Sequence, residues 1–101
     1  MLEKEFQNIV VQYMNLKGWK IAHFGKATVR ANKSITPVKY QGKGYVDLTA
    51  VHPKKGLMFV EVKTDKGVIS PHQQEWLDLL GMFAKAVVVR PKTFEEFKKM
   101  V

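Results

Sequence analysis

Residues 57–63 restrict the fold more than any other part of this chain. In extended conformation Leu57, Phe59, Glu61 and Lys63 share one face, and Met58, Val60 and Val62 share the other. Both faces begin apolar, as in a central strand covered on two sides; a surface strand would alternate. The acid and the base at the far end therefore lie where burial makes charge expensive, and something must compensate for them. A second carboxylate, Asp47, opens another apolar stretch a short way upstream, after Gly44, Tyr45 and Val46.

The turn Pro53-Lys54-Lys55-Gly56 returns the chain from a strand over residues 46–52 into this central strand, which predicts an antiparallel hairpin. Upstream, Leu2, Phe6, Ile9, Val10, Tyr13 and Met14 fall on one helical stripe over residues 2–17, with Gly18 to stop it. On that wheel Glu3 lies about 60° from Phe6 and Glu5 about 100° away on the other side, so Glu3 is the acid expected to face inward. Residues 19–24 read as a first strand, with His23 at its end. Downstream, Ser70-Pro71-His72-Gln73 opens a helix with a capping box, and Trp76, Leu77, Leu79, Leu80 and Phe83 are expected to give it a broad apolar surface. Residues 86–89 form a short buried strand, and Thr93, with Glu96 behind it, caps a last helix. The order is helix, three strands, helix, strand, helix, in a single domain over residues 1–101.

Asp47 at the start of one hairpin strand, and Glu61 with Lys63 at the end of its partner, come to the same end of the sheet. Register decides whether they meet. If opposed residue numbers add to 108, Asp47 faces Glu61; 110 puts it opposite Lys63, and 109 turns it to the other face. Directly opposed side chains have Cβ atoms about 5 Å apart, close enough for two carboxylates to hold one small cation. Unneutralised, the pair would repel and one member would stay protonated. All-oxygen donors with no His or Cys suit magnesium or manganese, with water and a substrate phosphate filling the other positions. Such an ion lowers the pKa of water and neutralises phosphoryl oxygens, and Lys63 beside it would stabilise the charge that develops on phosphate. These are the parts that phosphodiester hydrolysis needs. The plainer alternative makes Glu61 and Lys63 an exposed ion pair of little consequence.

Seventeen Lys and Arg against nine Asp and Glu give a net charge of +8, which favours a polyanionic partner. Much of that charge sits in residues 25–45, where periodicity fails and no acid occurs. Lys26, Arg30, Lys33, Lys39, Tyr40 and Lys43, with Tyr45 and the glycines 25, 42 and 44, suit contact with phosphates and stacked bases in a long loop or irregular hairpin. With no cysteine, zinc-finger and thiol chemistry are excluded. The charged start and the lack of a long apolar run leave neither export nor a membrane partner expected, and place the protein in the cytoplasm, that of the host if the source is viral.

Three motifs carry a resemblance: Gly42-Lys43-Gly44-Tyr45-Val46-Asp47-Leu48, then Phe59-Val60-Glu61-Val62-Lys63-Thr64, then Ser70-Pro71-His72-Gln73-Gln74-Glu75-Trp76. Together with the Glu3-Lys4-Glu5-Phe6-Gln7 opening and the strand over residues 86–90, they resemble the VRR-NUC family of the PD-(D/E)XK nuclease superfamily, in its stand-alone, virus-type form. Where members often have proline before the aspartate, this chain has Val46. The resemblance implies a restriction-endonuclease-like α/β fold, an α+β sandwich with a central mixed sheet flanked by helices. It implies that Asp47 and Glu61 bind Mg2+ or Mn2+, that the Val62 carbonyl completes the protein ligands, and that Lys63 is the catalytic lysine. Glu3 would reach the metal directly or through water, and Gln73 would support the site or touch substrate. The implied activity is a structure-selective DNA endonuclease, in the limit a Holliday junction resolvase acting as a homodimer. A non-catalytic nucleic-acid-binding module on the same fold is the alternative: it would bind in a salt-sensitive way without Glu61 or a cation.

Overall fold

Four strands in the order β1-β4-β5-β6 make the main sheet, and β5 lies inside it. In chain order the elements are α1 (Glu3–Leu16), β1 (Lys20–His23), β2 (Ala27–Val29), β3 (Lys33–Ile35), β4 (Leu48–His52), β5 (Gly56–Val62), α2 (Pro71–Gly81), β6 (Lys85–Val89), a 3-10 turn (Pro91–Thr93) and α3 (Phe94–Met100). The computed structural model describes residues 1–24, 27–29, 33–35 and 40–101, with backbone alone at 27–29 and 33–35. β1 with β4 and β4 with β5 pair antiparallel, whereas β5 with β6 pair parallel. A parallel neighbour requires a crossover, and α2 is that crossover. The sheet is therefore mixed and carries helices, as the sequence predicts; β2 and β3 form a separate antiparallel pair within the basic segment.

The two apolar faces of β5 become two cores. Met58, Val60 and Val62 pack with Leu48, Ala50 and Val89 against Phe6, Val10 and Met14 of α1 and against Phe97 and Val101. On the other face Phe59 packs with Val46 and with Leu77 of α2. Each fully buried side chain of this size stabilises the fold by about 1.5–3 kcal/mol. Cover on both sides is thus what holds β5 in place, and with it the acid near its end.

Helix ends follow the sequence in two cases out of three. Gly18, at φ 96°, ends α1 in the left-handed conformation that favours glycine. Ser70 caps α2: its Oγ accepts from the Gln73 N–H (3.2 Å), and Gln73 Oε1 accepts from the Ser70 N–H (2.9 Å). Thr93 does not cap α3. Its hydroxyl turns back, accepting from the Arg90 N–H (3.0 Å) and donating to the Arg90 carbonyl (3.2 Å), because the 3-10 turn directly before α3 offers those groups first. The broad apolar surface expected of α2 is also narrower than predicted. Leu77 is buried, but Leu79 and Phe83 are exposed, Phe83 lying past the end of the helix at Gly81.

Candidate metal and catalytic site

Opposed residues of β4 and β5 add to 108, as in Leu48 with Val60 and Thr49 with Phe59. The next pair outward is Asp47 with Glu61. Asp47 itself lies just before β4, in a bend, and its side chain replaces the ladder: the Val62 N–H donates to Asp47 Oδ2 (2.8 Å). Lys63, just beyond β5, donates its N–H to the Val89 carbonyl on the opposite edge (3.0 Å). Backbone groups alternate edges along a strand, so the Val62 carbonyl points to the Asp47 edge, as its N–H does.

Glu61 is buried to 1 % exposure, the one buried charged side chain among the described residues. Burial first, and the Asp47 charge after it, push its carboxyl up to about 8, against the opposite pull of Lys63. Gln73 Nε2 donates to Glu61 Oε2 (2.9 Å). The capping box orients that amide: with Oε1 occupied by the Ser70 N–H, only the donor end of Gln73 is left for the carboxylate. Capping and site support, the two readings of Gln73, are thus one arrangement. Glu61 Oε1, by contrast, is buried and meets no donor at all. Lys63 Nζ stands 3.9 Å from Glu61 Oε2 with its side chain 14 % exposed, too far for a closed ion pair and too covered for the exposed pair of the plainer alternative.

His23, which sequence reasoning left as an ordinary strand-end histidine, fixes Asp47 from the other side. Its Nδ1 donates to the Asp47 carbonyl (2.8 Å), since a carbonyl only accepts. In the neutral ring Nε2 then accepts from Gln7 Nε2 of α1 (3.4 Å). The signal was the β1 to β4 register, which sets His23 beside Leu48 and is not readable from composition or spacing.

Glu3 departs from its expected position. It is exposed in the first turn of α1, where burial begins only at Phe6; the wheel gave its direction but not a cover. Glu5 is occupied in capping, its Oε1 accepting from the Leu2 N–H (2.8 Å). Among the described residues no three His, Cys, Asp or Glu side chains are gathered to hold one ion, so Glu3 does not join Asp47 and Glu61. Of the basic segment, Lys26, Arg30, Lys39 and the Lys33 side chain lie outside the described residues. Lys43 is exposed, and Tyr40 is 97 % exposed at φ 60°. The segment's end is seated firmly: Trp76 Nε1 donates to the Gln41 carbonyl (3.2 Å), and the Tyr45 ring meets Trp76 edge to face at 5.0 Å.

Two carboxylates, one with a buried unpartnered oxygen, and a backbone carbonyl on the same edge fit a hard divalent cation. Magnesium is commonly held by one or two carboxylates, with waters and substrate phosphate completing its shell. Among known families, the VRR-NUC domain model matches residues 21–91, which include Asp47, Glu61, Lys63 and Gln73. No curated protein and no solved structure matches significantly. Among the described residues no helix is long and apolar enough to cross a membrane.

Proposed function

The chain belongs to the VRR-NUC family, a PD-(D/E)XK-like group of nucleases, and on that premise we propose that it is a magnesium- or manganese-dependent DNA endonuclease acting on branched structures. The observation that carries the metal reading is Glu61: a buried carboxyl beside a second one, with Oε1 facing no donor. Asp47, Glu61 and the Val62 carbonyl would hold the ion, and Glu3 would reach it through water. A cation bound there supplies Lewis acidity toward phosphate and water.

The chain's own residues do the rest. Asp47 is held from both sides, by Val62 at its carboxylate and by His23 at its carbonyl, so its free oxygen keeps one direction. Gln73 fixes Oε2 of Glu61 and leaves Oε1 available. Lys63 brings a cation to the same end of the sheet without being neutralised by a tight partner, which suits it to stabilise charge growing on a phosphoryl oxygen. Lys26, Arg30, Lys33, Lys39, Tyr40 and Lys43 would track the backbone and bases of the nucleic acid. Cutting a four-way junction symmetrically takes two sites in fixed relation, which a two-fold homodimer provides.

The test is cleavage of labelled four-way junction, flap and plain duplex DNA with Mg2+, Mn2+ or EDTA. The expected result is metal-dependent cutting that favours the branched substrates and falls at least about a hundredfold in Asp47→Asn and Lys63→Met, the scale at which loss of a group acting in the transition state is felt. Cutting undiminished by either substitution overturns the assignment of the site. DNA binding without cutting under every metal condition supports the non-catalytic module instead.

A further inference from the structure

We propose that Arg90 is a positioning residue for Lys63, acting through the turn at residues 64–67. The inference rests on the role given to Lys63 above. Arg90 follows β6, next to Val89, whose carbonyl accepts the Lys63 N–H. A single guanidinium nitrogen, Nη1, donates to the Thr64 carbonyl (2.6 Å) and the Gly67 carbonyl (2.7 Å), with the Asp65 carbonyl at 3.4 Å. Three carbonyls of one short turn therefore converge on one cationic donor. A second strap runs alongside, the Lys92 N–H donating to Asp65 Oδ1 (2.9 Å). Arg90 is itself fixed at its backbone N–H by the Thr93 hydroxyl, the same contact that keeps Thr93 from capping α3.

The turn matters because Lys63 leans on it. A Cβ built on Gly67 would stand 3.3 Å from Lys63 Cδ and 3.1 Å from Thr64 Oγ1, so the backbone at Gly67 is the surface against which the lysine stem packs. The Lys63 side chain is largely covered, but its ammonium makes no hydrogen bond among the described residues. Its ammonium is 3.9 Å from Glu61, and a long side chain with four rotatable bonds keeps much of its freedom unless its stem is packed. Arg90 closes the turn, the turn backs the stem, and the stem aims the ammonium. Among the described residues Arg90 makes no hydrogen bond or ion pair with Asp47 or Glu61, so its loss should leave the carboxylate pair in place while Lys63 wanders.

Arg90→Met keeps the length of the side chain and removes every donor. We expect kcat on the preferred DNA to fall about 10- to 100-fold, the scale on which a misplacement near 1 Å is felt, with KM and the metal requirement within about twofold of wild type. Arg90→Lys, which restores a cationic donor, should recover part of the loss. In a Lys63→Met background, Arg90→Met should cost less than about a further twofold in single-turnover cleavage, because the group it positions has gone. A loss repeated in full in that background, or one that falls on KM, overturns the proposal. A second readout does not need activity: with lysines labelled at the ε-methylene, the Lys63 signal, assigned by its absence in Lys63→Met, should gain mobility in Arg90→Met. An unchanged Lys63 signal also overturns it. If the wild-type protein cuts nothing, the nuclease reading fails and the Lys63 signal still decides whether Arg90 holds the lysine. If Arg90→Met does not fold, Gly67→Ala crowds the same contact and must mobilise Lys63; failing that, the turn has no hold on it.

Discussion

Glu61 links the protonation of the site to the stability of the fold. With its folded pKa near 8 against an ordinary 4.5, the folded metal-free protein binds a proton that the unfolded chain gives up. The stabilising contribution is therefore full below about 4.5 and is lost as pH rises through about 8, a cost of about 5 kcal/mol at most. Urea denaturation with EDTA at pH 5.5 and 8.5 should show the wild type losing stability at the higher pH, while Glu61→Gln changes much less. Millimolar Mg2+ at pH 8.5 should restore the wild type and leave Glu61→Gln where it was, since only a site that binds the ion gains from mass action. Equal pH dependence of the two proteins would remove the buried-acid account. At this scale the sequence was informative about identity and weaker about cover. That Asp47, Glu61 and Lys63 come to one end of the sheet was legible because a hairpin brings those two strand ends together, and the cap at Gln73 because a capping box can be read from four letters. His23 and Arg90 were not, because each acts on a backbone carbonyl supplied by a segment distant in sequence.

Among the elements, the contact between the end of the basic segment and the start of α2 is the tightest joint near the site. Gly44 sits at φ 84°, and a Cβ there would lie 2.6 Å from His72 C and Cβ and 2.7 Å from Gln73 N. Gly44→Ala therefore combines a left-handed alanine with a backbone collision, and we expect it to cost about 2–4 kcal/mol and to displace Gln73 from Glu61. Gly56 is the control: at φ 88° with nothing within 4 Å of an added Cβ, Gly56→Ala should cost about 1–2 kcal/mol and leave cleavage unchanged. Thermal unfolding and cleavage rates of the two variants check both statements. Element types were readable because their periods differ, 3.6 along α1 and both faces apolar along β5. What escaped was which side of each element finds a cover. Glu3 lies in an uncovered first turn of α1, and the outer apolar residues of α2 lie beyond the one edge that reaches the sheet.

At the scale of the whole molecule, two neighbouring carboxylates sit at one end of the sheet in a protein whose net charge is +8. In the proposed function the two features belong together: surface lysines would gather a polyanion, and an ion held by Asp47 and Glu61 would stand between the carboxylates and phosphate. Binding to DNA in Ca2+, which holds a hard-ion site without the chemistry expected of Mg2+, should weaken more than about tenfold between 50 and 200 mM salt. Replacing Lys39 and Lys43 together by Ala should lower the slope of log affinity against log salt by about 2 without changing the metal requirement. A fluorescence-anisotropy titration at several salt concentrations measures both. The fold class was predictable at this scale because a chain of 101 residues that buries both faces of one strand needs layers on each side of it. In the basic segment the hairpin alternative is the one found, but the register of β2 with β3 was not readable, since that segment has no apolar alternation from which it would follow.

Diffraction from a crystal of the protein soaked in Mn2+, recorded for its anomalous signal, puts the question to the site itself. The account predicts one strong peak in coordinating distance of both the Asp47 and Glu61 carboxylates, absent in Glu61→Gln. No peak there, or one bound to Asp47 alone and unaffected by Glu61→Gln, would contradict it.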